Sequence, residues 1–327
     1  MRKTWKKLLA VMMMCAVLMM NSGCAVEKIC VGYTIYPMQY VLERIAGNYI
    51  DIVDFSDGVN PIQVSSIASD YKDSLDKTTL ILKIGDLEPY WTIYEDEIKN
   101  ARAEIIDLSG LAAIYDFKRY TIGEISGNKI VLESDWYEGG LFNMTDTYGK
   151  DMGIWMDPIA LTSMARTVYE WLVAKDPTNA AVYSANFRSL EGDLVRLDSE
   201  YSALSTEGIK LVTVTPSFGN WQKDYNIGLY PLILSRYGAL PTESQLQVIE
   251  ARINDDEVKY IVKESNMTEE MTALYERVKE DCGLEEVELS NLSTLTQNEY
   301  NQNKDYLTIM YENLTTLENL SSAAEEE

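Results

Sequence analysis

The chain of 327 residues contains no histidine, so any chemistry it performs must come from other side chains. Histidine titrates near neutral pH and is the commonest metal ligand. Its absence therefore removes the usual general base and the usual zinc site. Carboxylates are plentiful, because aspartate and glutamate together number 52. The composition leaves acids and neutral oxygen donors as the groups available for a site.

Two groups of evenly spaced aspartates are candidates for a cation site. Asp51, Asp54 and Asp57 precede Gly58 at every third position. An EF-hand loop instead places its ligands at alternate positions and ends on a distant glutamate. Three further aspartates at 70–76 have the spacing of one helical face, which is typical of a solvated surface. Neither pattern predicts a calcium site.

Motifs of the common enzyme classes are absent from the sequence. It has no glycine-rich phosphate loop, no Gly-x-Ser-x-Gly nucleophile elbow and no Cys-x-x-Cys pair. Asp157 is an acid close to Trp155, but the following Pro158 identifies it as the N-cap of a helix. We therefore expect no enzymatic activity. A hydrolase would require a convergent site that these residues do not assemble.

The N-terminus has the pattern of a bacterial lipoprotein signal peptide. Four basic residues among the first seven precede an apolar run from Leu8 to Met20, which is short for a membrane span. The run ends at Asn21-Ser22-Gly23-Cys24, where small residues precede a cysteine. We expect residues 1–23 to be removed and Cys24 to anchor the protein by a lipid to the extracytoplasmic face of the cell membrane. An uncleaved membrane anchor is the alternative.

The net charge and the cysteines exclude two further classes. A formal net charge of −24 repels the phosphates of nucleic acids, so we expect no nucleic-acid partner. Once the signal peptide and the lipid-bearing cysteine are set aside, Cys30 and Cys282 remain. Two thiols so far apart in sequence do not form the framework of a disulfide-rich domain.

Strands and helices alternate in both halves of the chain. Strand-like runs at 29–34, 49–55, 79–84 and 104–108 are separated by helical stretches, and a second series begins at 210–215. Such alternation predicts βαβ units with parallel strand pairing. The sequence therefore predicts an α/β fold.

The middle of the chain has helical segments in succession with no strand between them. One of these segments places apolar residues at alternating spacings of three and four: Phe187, Leu190, Leu194, Leu197 and Tyr201. This regularity predicts a long amphipathic helix. We therefore predict two βα-alternating lobes joined by a long rigid helix, with a cleft between the lobes.

Several segments together resemble the metal-type solute-binding lipoproteins of ABC importers, which bind zinc or manganese. They are VGYTIYPMQYVLERIAGNYIDI from position 31, the Gly85-Asp86-Leu87-Glu88 turn, IWMDP at 154–158, KDPTNAAVYSANF from position 175 and ALPTESQLQVIEARINDDEVKYIVKES from position 239. The resemblance covers nearly the whole mature chain. It implies an extracytoplasmic protein that delivers a small solute or metal ion to an ABC permease.

The resemblance and the element pattern together divide the chain. We expect a signal peptide at 1–23, an N-terminal α/β lobe at 24–177 and a connecting helix at 178–206. A C-terminal α/β lobe at 207–320 and an acidic tail at 321–327 follow. The cleft would lie between the two lobes.

The metal ligands are the part of the resemblance that this chain does not reproduce. The family's ligand positions fall here on residues that are poor donors: Ile62, Gly153, Thr215 and Ser293. Zinc and manganese require several anionic or imidazole donors around one ion, which these residues do not supply. The resemblance implies zinc or manganese, but the residues themselves lead us to expect no metal cofactor.

The residues beside those positions are our candidates for the lining of the cleft: Trp155, Ser217, Phe218, Asn220 and Trp221. Aromatic packing explains several of them equally well. Two functions follow from the sequence. The first is a solute-binding lipoprotein whose cargo is a metal held weakly by oxygen donors, or another solute. The alternative is a surface interaction or scaffold lipoprotein that kept the fold without transport.

Overall fold

The structure is a computed structural model that describes residues 28–58, 60–111, 114–204 and 208–325. The signal peptide expected at 1–23 and the lipid anchor expected at Cys24 lie outside these residues. Within the described ranges, no helix is long and apolar enough to cross a membrane.

The N-terminal lobe is built on a four-stranded parallel sheet. Its strands are β1 (Cys30–Tyr33), β2 (Asp51–Asp54), β3 (Leu80–Lys83) and β4 (Glu104–Asp107). They lie in the order β2-β1-β3-β4, and every neighbouring pair is parallel. The connecting helices are α1 (Tyr36–Ala46), α2 (Tyr71–Lys77) and α3 (Trp91–Lys99). Parallel pairing requires such crossovers, as the sequence predicts.

An antiparallel hairpin that the sequence did not indicate follows this sheet. It consists of β5 (Arg119–Ile125) and β6 (Asn128–Ser134). The guanidinium of Arg119 donates to the hydroxyl of Tyr230 at 3.1 Å and to the carboxylate of Asp256 at 2.7 Å. Both partners belong to the C-terminal lobe. The hairpin therefore fastens one lobe to the other.

Two helices in succession connect the lobes, namely α4 (Pro158–Lys175) and α5 (Ala180–Ala203). The apolar stripe predicted for α5 is buried along its length. The side-chain amide of Asn186 donates to the carbonyl of Ile45 at 2.9 Å, and the hydroxyl of Tyr201 donates to the carbonyl of Met310 at 2.8 Å. Since Ile45 and Met310 belong to different lobes, α5 is the long helix that joins them.

Asp157 caps α4, as its position before proline predicts. Its side chain accepts a hydrogen bond from the backbone N–H of Ile159 at 2.7 Å, and Pro158 occupies the first helical position. Both features stabilise the start of a helix. Capping accounts for this acid without a catalytic role.

The C-terminal lobe contains a second four-stranded parallel sheet. Its strands are β7 (Lys210–Thr213), β8 (Gly228–Pro231), β9 (Tyr260–Glu264) and β10 (Glu285–Leu289), in the order β10-β9-β7-β8. Its helices are α6 (Trp221–Asp224), α7 (Glu243–Asp255), α8 (Glu269–Cys282), α9 (Gln297–Asn301) and α10 (Tyr306–Glu325). Helix α10 extends to Glu325, into the 321–327 segment for which we expected a tail, and Ser321 at the start of that segment is still buried.

One apolar cluster runs through both lobes. It includes Val31 of the first sheet, Leu194 of α5 and Val212 of the second sheet. A smaller cluster around Phe55 and Trp91 lies within the N-terminal lobe. The lobes are therefore packed directly against each other.

Candidate functional site

The carboxyl ends of the two parallel sheets meet where the lobes touch. Tyr36 follows β1, and its backbone N–H donates to the carbonyl of Ser293, which follows β10, at 3.2 Å. In open α/β sheets, ligands bind in the crevice outside the carboxyl ends of the strands. We call this region the lobe interface. It consists of the residues that follow β1, β3, β7, β9 and β10, together with the loop at 151–157.

Two glycines bring the lobes into direct contact at the lobe interface. A Cβ atom at Gly153 would overlap the carbonyl oxygen of Ser217, and a Cβ atom at Gly219 would overlap the carboxylate of Asp151. Gly153 and Asp151 belong to the N-terminal lobe, and the other two residues belong to the C-terminal lobe. A side chain at position 153 would therefore require the lobes to separate locally.

The other positions that the resemblance assigns to metal ligands are buried as well. Ile62 belongs to the main apolar cluster. The hydroxyl of Ser293 donates to the side-chain oxygen of Asn291 at 2.9 Å. The hydroxyl of Thr215 lies 2.8 Å from that of Ser217. That these four positions correspond to the ligands of a lost metal site stays a prediction.

A buried carboxylate that the sequence analysis missed is hydrogen-bonded to Thr215 and to Asn291, the partner of Ser293. Glu264 ends β9, and its Oε1 accepts hydrogen bonds from the backbone N–H groups of Val214 at 2.7 Å and Thr215 at 2.8 Å. Its Oε2 accepts from the hydroxyl of Thr215 at 2.6 Å and from the side-chain amide of Asn291 at 2.8 Å. Burial raises the pKa of Glu264, and the hydrogen bonds oppose this rise.

A second missed carboxylate, Asp151, lies on the opposite side of the lobe interface. It accepts a hydrogen bond from the backbone N–H of Gly153 at 3.0 Å. Burial raises the pKa of Asp151 to about 7. Gly153 lies against the backbone of Ser217, and the hydroxyl of Ser217 is joined through Thr215 to Glu264. The two carboxylates therefore lie on either side of this contact between the lobes.

Glu88 is a third buried acid, located after β3. The hydroxyl of Thr34 donates to its Oε1, whereas its Oε2 is buried and has no hydrogen-bond partner among the described residues. Burial raises the pKa of Glu88 to about 7. Glu88 and Asp151 therefore titrate near neutral pH in a protein that lacks imidazole.

One sequence signal could have identified Glu264. It directly follows the apolar residues of a predicted strand, and parallel strands point their carboxyl ends towards the ligand crevice. An acid at the end of a buried strand is therefore a better site candidate than an acid on a helical face. Asp151 carries no such signal, because it lies in an irregular loop.

The structure gathers the five predicted cleft residues at the lobe interface, where all are buried: Trp155, Ser217, Phe218, Asn220 and Trp221. The indole N–H of Trp155 donates to the carbonyl of Asn291 at 2.8 Å, and that of Trp221 donates to the carbonyl of Met156 at 3.0 Å. Each tryptophan thus connects one lobe to the other. Contact of these residues with a solute stays a prediction.

The lobe interface offers oxygen donors. Throughout the part of the chain that the structure describes, no three side chains of His, Cys, Asp or Glu lie close enough to hold one metal ion. The donors around Thr215 include the carboxylates of Asp151 and Glu264, the hydroxyls of Thr215 and Ser217, and the side chain of Asn291. Oxygen donors suit hard divalent cations and hold zinc less tightly than imidazole or thiolate does.

Comparison with known proteins places the chain in a family. Residues 31–320 match the family described as "ZnuA: Zinc-uptake complex component A periplasmic". The zinc-binding protein AdcA of Streptococcus pyogenes serotype M1 is 20% identical over 293 residues, which are 89% of this chain and 55% of AdcA. The high-affinity zinc uptake system protein ZnuA of Bacillus subtilis is 22% identical over 173 residues, which are 52% of this chain and 53% of ZnuA. The chain therefore spans about half the length of these curated relatives.

Solved structures support the fold. A crystal structure of ZnuA has a TM-score of 0.66 and 19% identity, and the match covers 89% of this chain and 98% of that one. The periplasmic zinc-binding protein TroA from Treponema pallidum has a TM-score of 0.68 and 17% identity, over 90% of this chain and 99% of TroA. Both likenesses agree with the predicted two-lobed α/β architecture.

Our expectation that the protein has no metal cofactor is contradicted by these comparisons. The family is described by zinc uptake, AdcA is named as zinc-binding, and a solved AdcA structure contains Zn(II). Zinc is thus the ion named for these relatives. The expectation was wrong because it was drawn from four aligned positions alone, and these comparisons overturn it. From residue 31 to residue 320, the chain belongs to the ZnuA family, the zinc- and manganese-type solute-binding proteins of ABC importers.

Proposed function

We propose that this protein is the extracytoplasmic solute-binding lipoprotein of an ABC importer and that it delivers zinc to the permease. In this proposal the ion is held at the lobe interface by oxygen donors in place of histidine. The observation that carries the proposal is the position of Glu264. Its carboxylate is hydrogen-bonded to Thr215 and Asn291, so an acid lies beside the positions that the resemblance assigns to metal ligands.

The two carboxylates divide the proposed site between the lobes. Glu264 would contribute from the C-terminal lobe, together with the hydroxyls of Thr215 and Ser217, and Asp151 would contribute from the N-terminal lobe. An ion that bound both acids would stabilise the closed arrangement of the lobes. It would also offset the unfavourable burial of two negative charges. Release to the permease would then require the lobes to separate.

Zinc titration of the purified full-length protein tests this assignment. After treatment with a chelator, the parent protein should bind zinc in calorimetry and unfold at a higher temperature with zinc present. Glu264→Gln and Asp151→Asn should each weaken zinc binding by about tenfold or more, because each removes an anionic donor. Glu280→Gln removes an exposed glutamate on α8 and should leave zinc binding unchanged.

Two outcomes would contradict the proposal. If Glu264→Gln and Asp151→Asn, shown to be folded by circular dichroism, bound zinc as the parent does, the lobe interface would not be the site. If the parent bound neither zinc nor manganese, the alternative of a surface interaction or scaffold lipoprotein would replace transport.

Membrane attachment through Cys24 is the second part of the proposal. It rests on the basic segment, the apolar run and the small residues that precede this cysteine. Cys24→Ser should transfer the protein from the membrane fraction to the soluble fraction of the cells that express it. Cys282→Ser, the matched control, should remain in the membrane fraction. Retention of Cys24→Ser in the membrane would show that the apolar segment itself is the anchor.

A further inference from the structure

A pocket of about 280 Å³ opens between the lobes, next to the oxygen donors described above. The N-terminal lobe lines it with Tyr36, Gln39 and Asp54. The C-terminal lobe lines it with Gln297 and Tyr300 and with the loop that begins at Ser293. A molecule in this pocket would touch both lobes.

The pocket has a negative charge and no positive one. Among the described residues that line it, Asp54 is the one charged side chain, and none is a lysine or an arginine. The Oδ1 atom of Asp54 accepts hydrogen bonds from the backbone N–H and the hydroxyl of Ser56, each at 2.8 Å. These bonds fix the carboxylate in position but do not neutralise it. The described lining of the pocket therefore supplies no cation that would balance Asp54.

Two tyrosines lie in opposite walls of the same pocket. Tyr36 is buried at the start of α1, and Tyr300 lies on α9 with 68% of its surface exposed. Aromatic rings attract organic cations through their electron-rich faces, and the attraction is strongest where water is excluded. The amides of Gln39 and Gln297 add hydrogen-bonding groups without charge. A carboxylate in a pocket that two aromatic residues also line matches a ligand that carries a positive charge on an organic group.

The charge of the whole chain favours the same kind of ligand. A formal net charge of −24 attracts cations and repels anions as they approach. The pocket volume accommodates a molecule of the size of choline or ethanolamine. A bare divalent ion would leave most of that volume to water and would meet one carboxylate only.

We propose that the pocket lined by Tyr36, Asp54 and Tyr300 binds a small organic ammonium ion. The ammonium group pairs with Asp54 and lies against the tyrosine rings, and the rest of the molecule contacts Gln39 and Gln297. This site goes beyond zinc delivery and uses neither Asp151 nor Glu264. A ligand held by both lobes stabilises their closed arrangement.

Choline and its uncharged carbon analogue, dimethylbutanol, test this proposal with the full-length protein at constant ionic strength. Choline should bind in calorimetry and raise the unfolding temperature, whereas dimethylbutanol should do neither, because the two differ in charge and not in shape. Asp54→Asn should weaken choline binding by about tenfold or more. Asp51→Asn alters an exposed aspartate on the same strand and should bind choline as the parent does.

A second variant keeps the test valid if Asp54→Asn does not fold. Tyr300→Ala removes an exposed ring and should weaken choline binding by a few-fold while the fold is retained. Zinc binding should be unchanged in Tyr300→Ala, which separates this site from the proposed zinc site. Equal binding of choline and dimethylbutanol would overturn the proposal. So would the absence of choline binding, or unchanged choline binding in a folded Asp54→Asn protein.

Discussion

Replacing Gly153 with alanine is expected to destabilise the folded protein by about 1–3 kcal/mol. The added Cβ atom would overlap the carbonyl oxygen of Ser217, which is backbone and cannot rotate away. The lobes would have to separate at this point. Separation would also strain the nearby hydrogen bond from Trp155 to the carbonyl of Asn291. The free energy of unfolding in urea, compared between the parent and the variant, measures the effect.

Gly192→Ala is the matched control for this prediction. Gly192 lies inside α5, and an added Cβ atom would have no neighbour within 4 Å. Alanine has the higher helix propensity, so this variant should be more stable than the parent by about 0.5–1 kcal/mol. The same substitution therefore has opposite signs at the two positions. A Gly153→Ala protein as stable as the parent would show that the lobes do not touch at Ser217.

The repeating elements of the fold were predictable because their signals are local. The stripe from Phe187 to Tyr201 depends only on spacing within one helix, and the structure buries it. Likewise, the run at 210–215 is rich in β-branched residues, and β7 lies within it. Parallel pairing follows because strands that alternate with helices need crossover connections.

The hairpin of β5 and β6 could not be predicted in the same way. Almost all of β6 is exposed, so its residues do not alternate between apolar and polar. What holds the hairpin in place is the contact of Arg119 with Tyr230 and Asp256, which are more than 100 residues further along the chain. A contact of that range leaves no periodic signal in the sequence.

The candidate site was predictable in location but not in its donors. The resemblance gave the positions of Gly153, Thr215 and Ser293, and the structure places all three at the lobe interface. It did not give Glu264, because the hydrogen bonds of this acid join residues 49 and 27 positions away. Sequence spacing does not show that a carboxylate is shared by two such distant residues. The position of Glu264 at the end of a strand was a local signal, but its distant partners became visible only through the fold.

The same reasoning applies to Glu88. The sequence places it in the Gly85–Glu88 turn and does not indicate that its carboxyl group is buried. It is completely buried, and one carboxylate oxygen has no partner among the described residues. Ionisation in such surroundings is unfavourable, so burial raises the pKa of Glu88 to about 7 from a usual value of 4.5. The folded protein therefore holds a proton on Glu88 at pH values where the unfolded chain has lost it.

This difference makes the stability of the protein depend on pH, and Glu88→Gln should remove that part of the dependence. When folding raises the pKa of a group, the stability that the group contributes is complete below its pKa in the unfolded chain. This contribution is lost as the pH rises through the pKa in the folded protein, here between about 4.5 and about 7. The parent should therefore lose about 2–3 kcal/mol relative to Glu88→Gln between pH 5 and pH 8. Buried acids common to both proteins, such as Asp151, cancel in this comparison.

Urea unfolding of both proteins between pH 5 and pH 8 measures the difference. Glu138→Gln, which changes an exposed glutamate, is the control and should follow the parent. A difference that stays constant with pH would mean that Glu88 is ionised in the folded protein, and that its second oxygen has a partner which supports the charge.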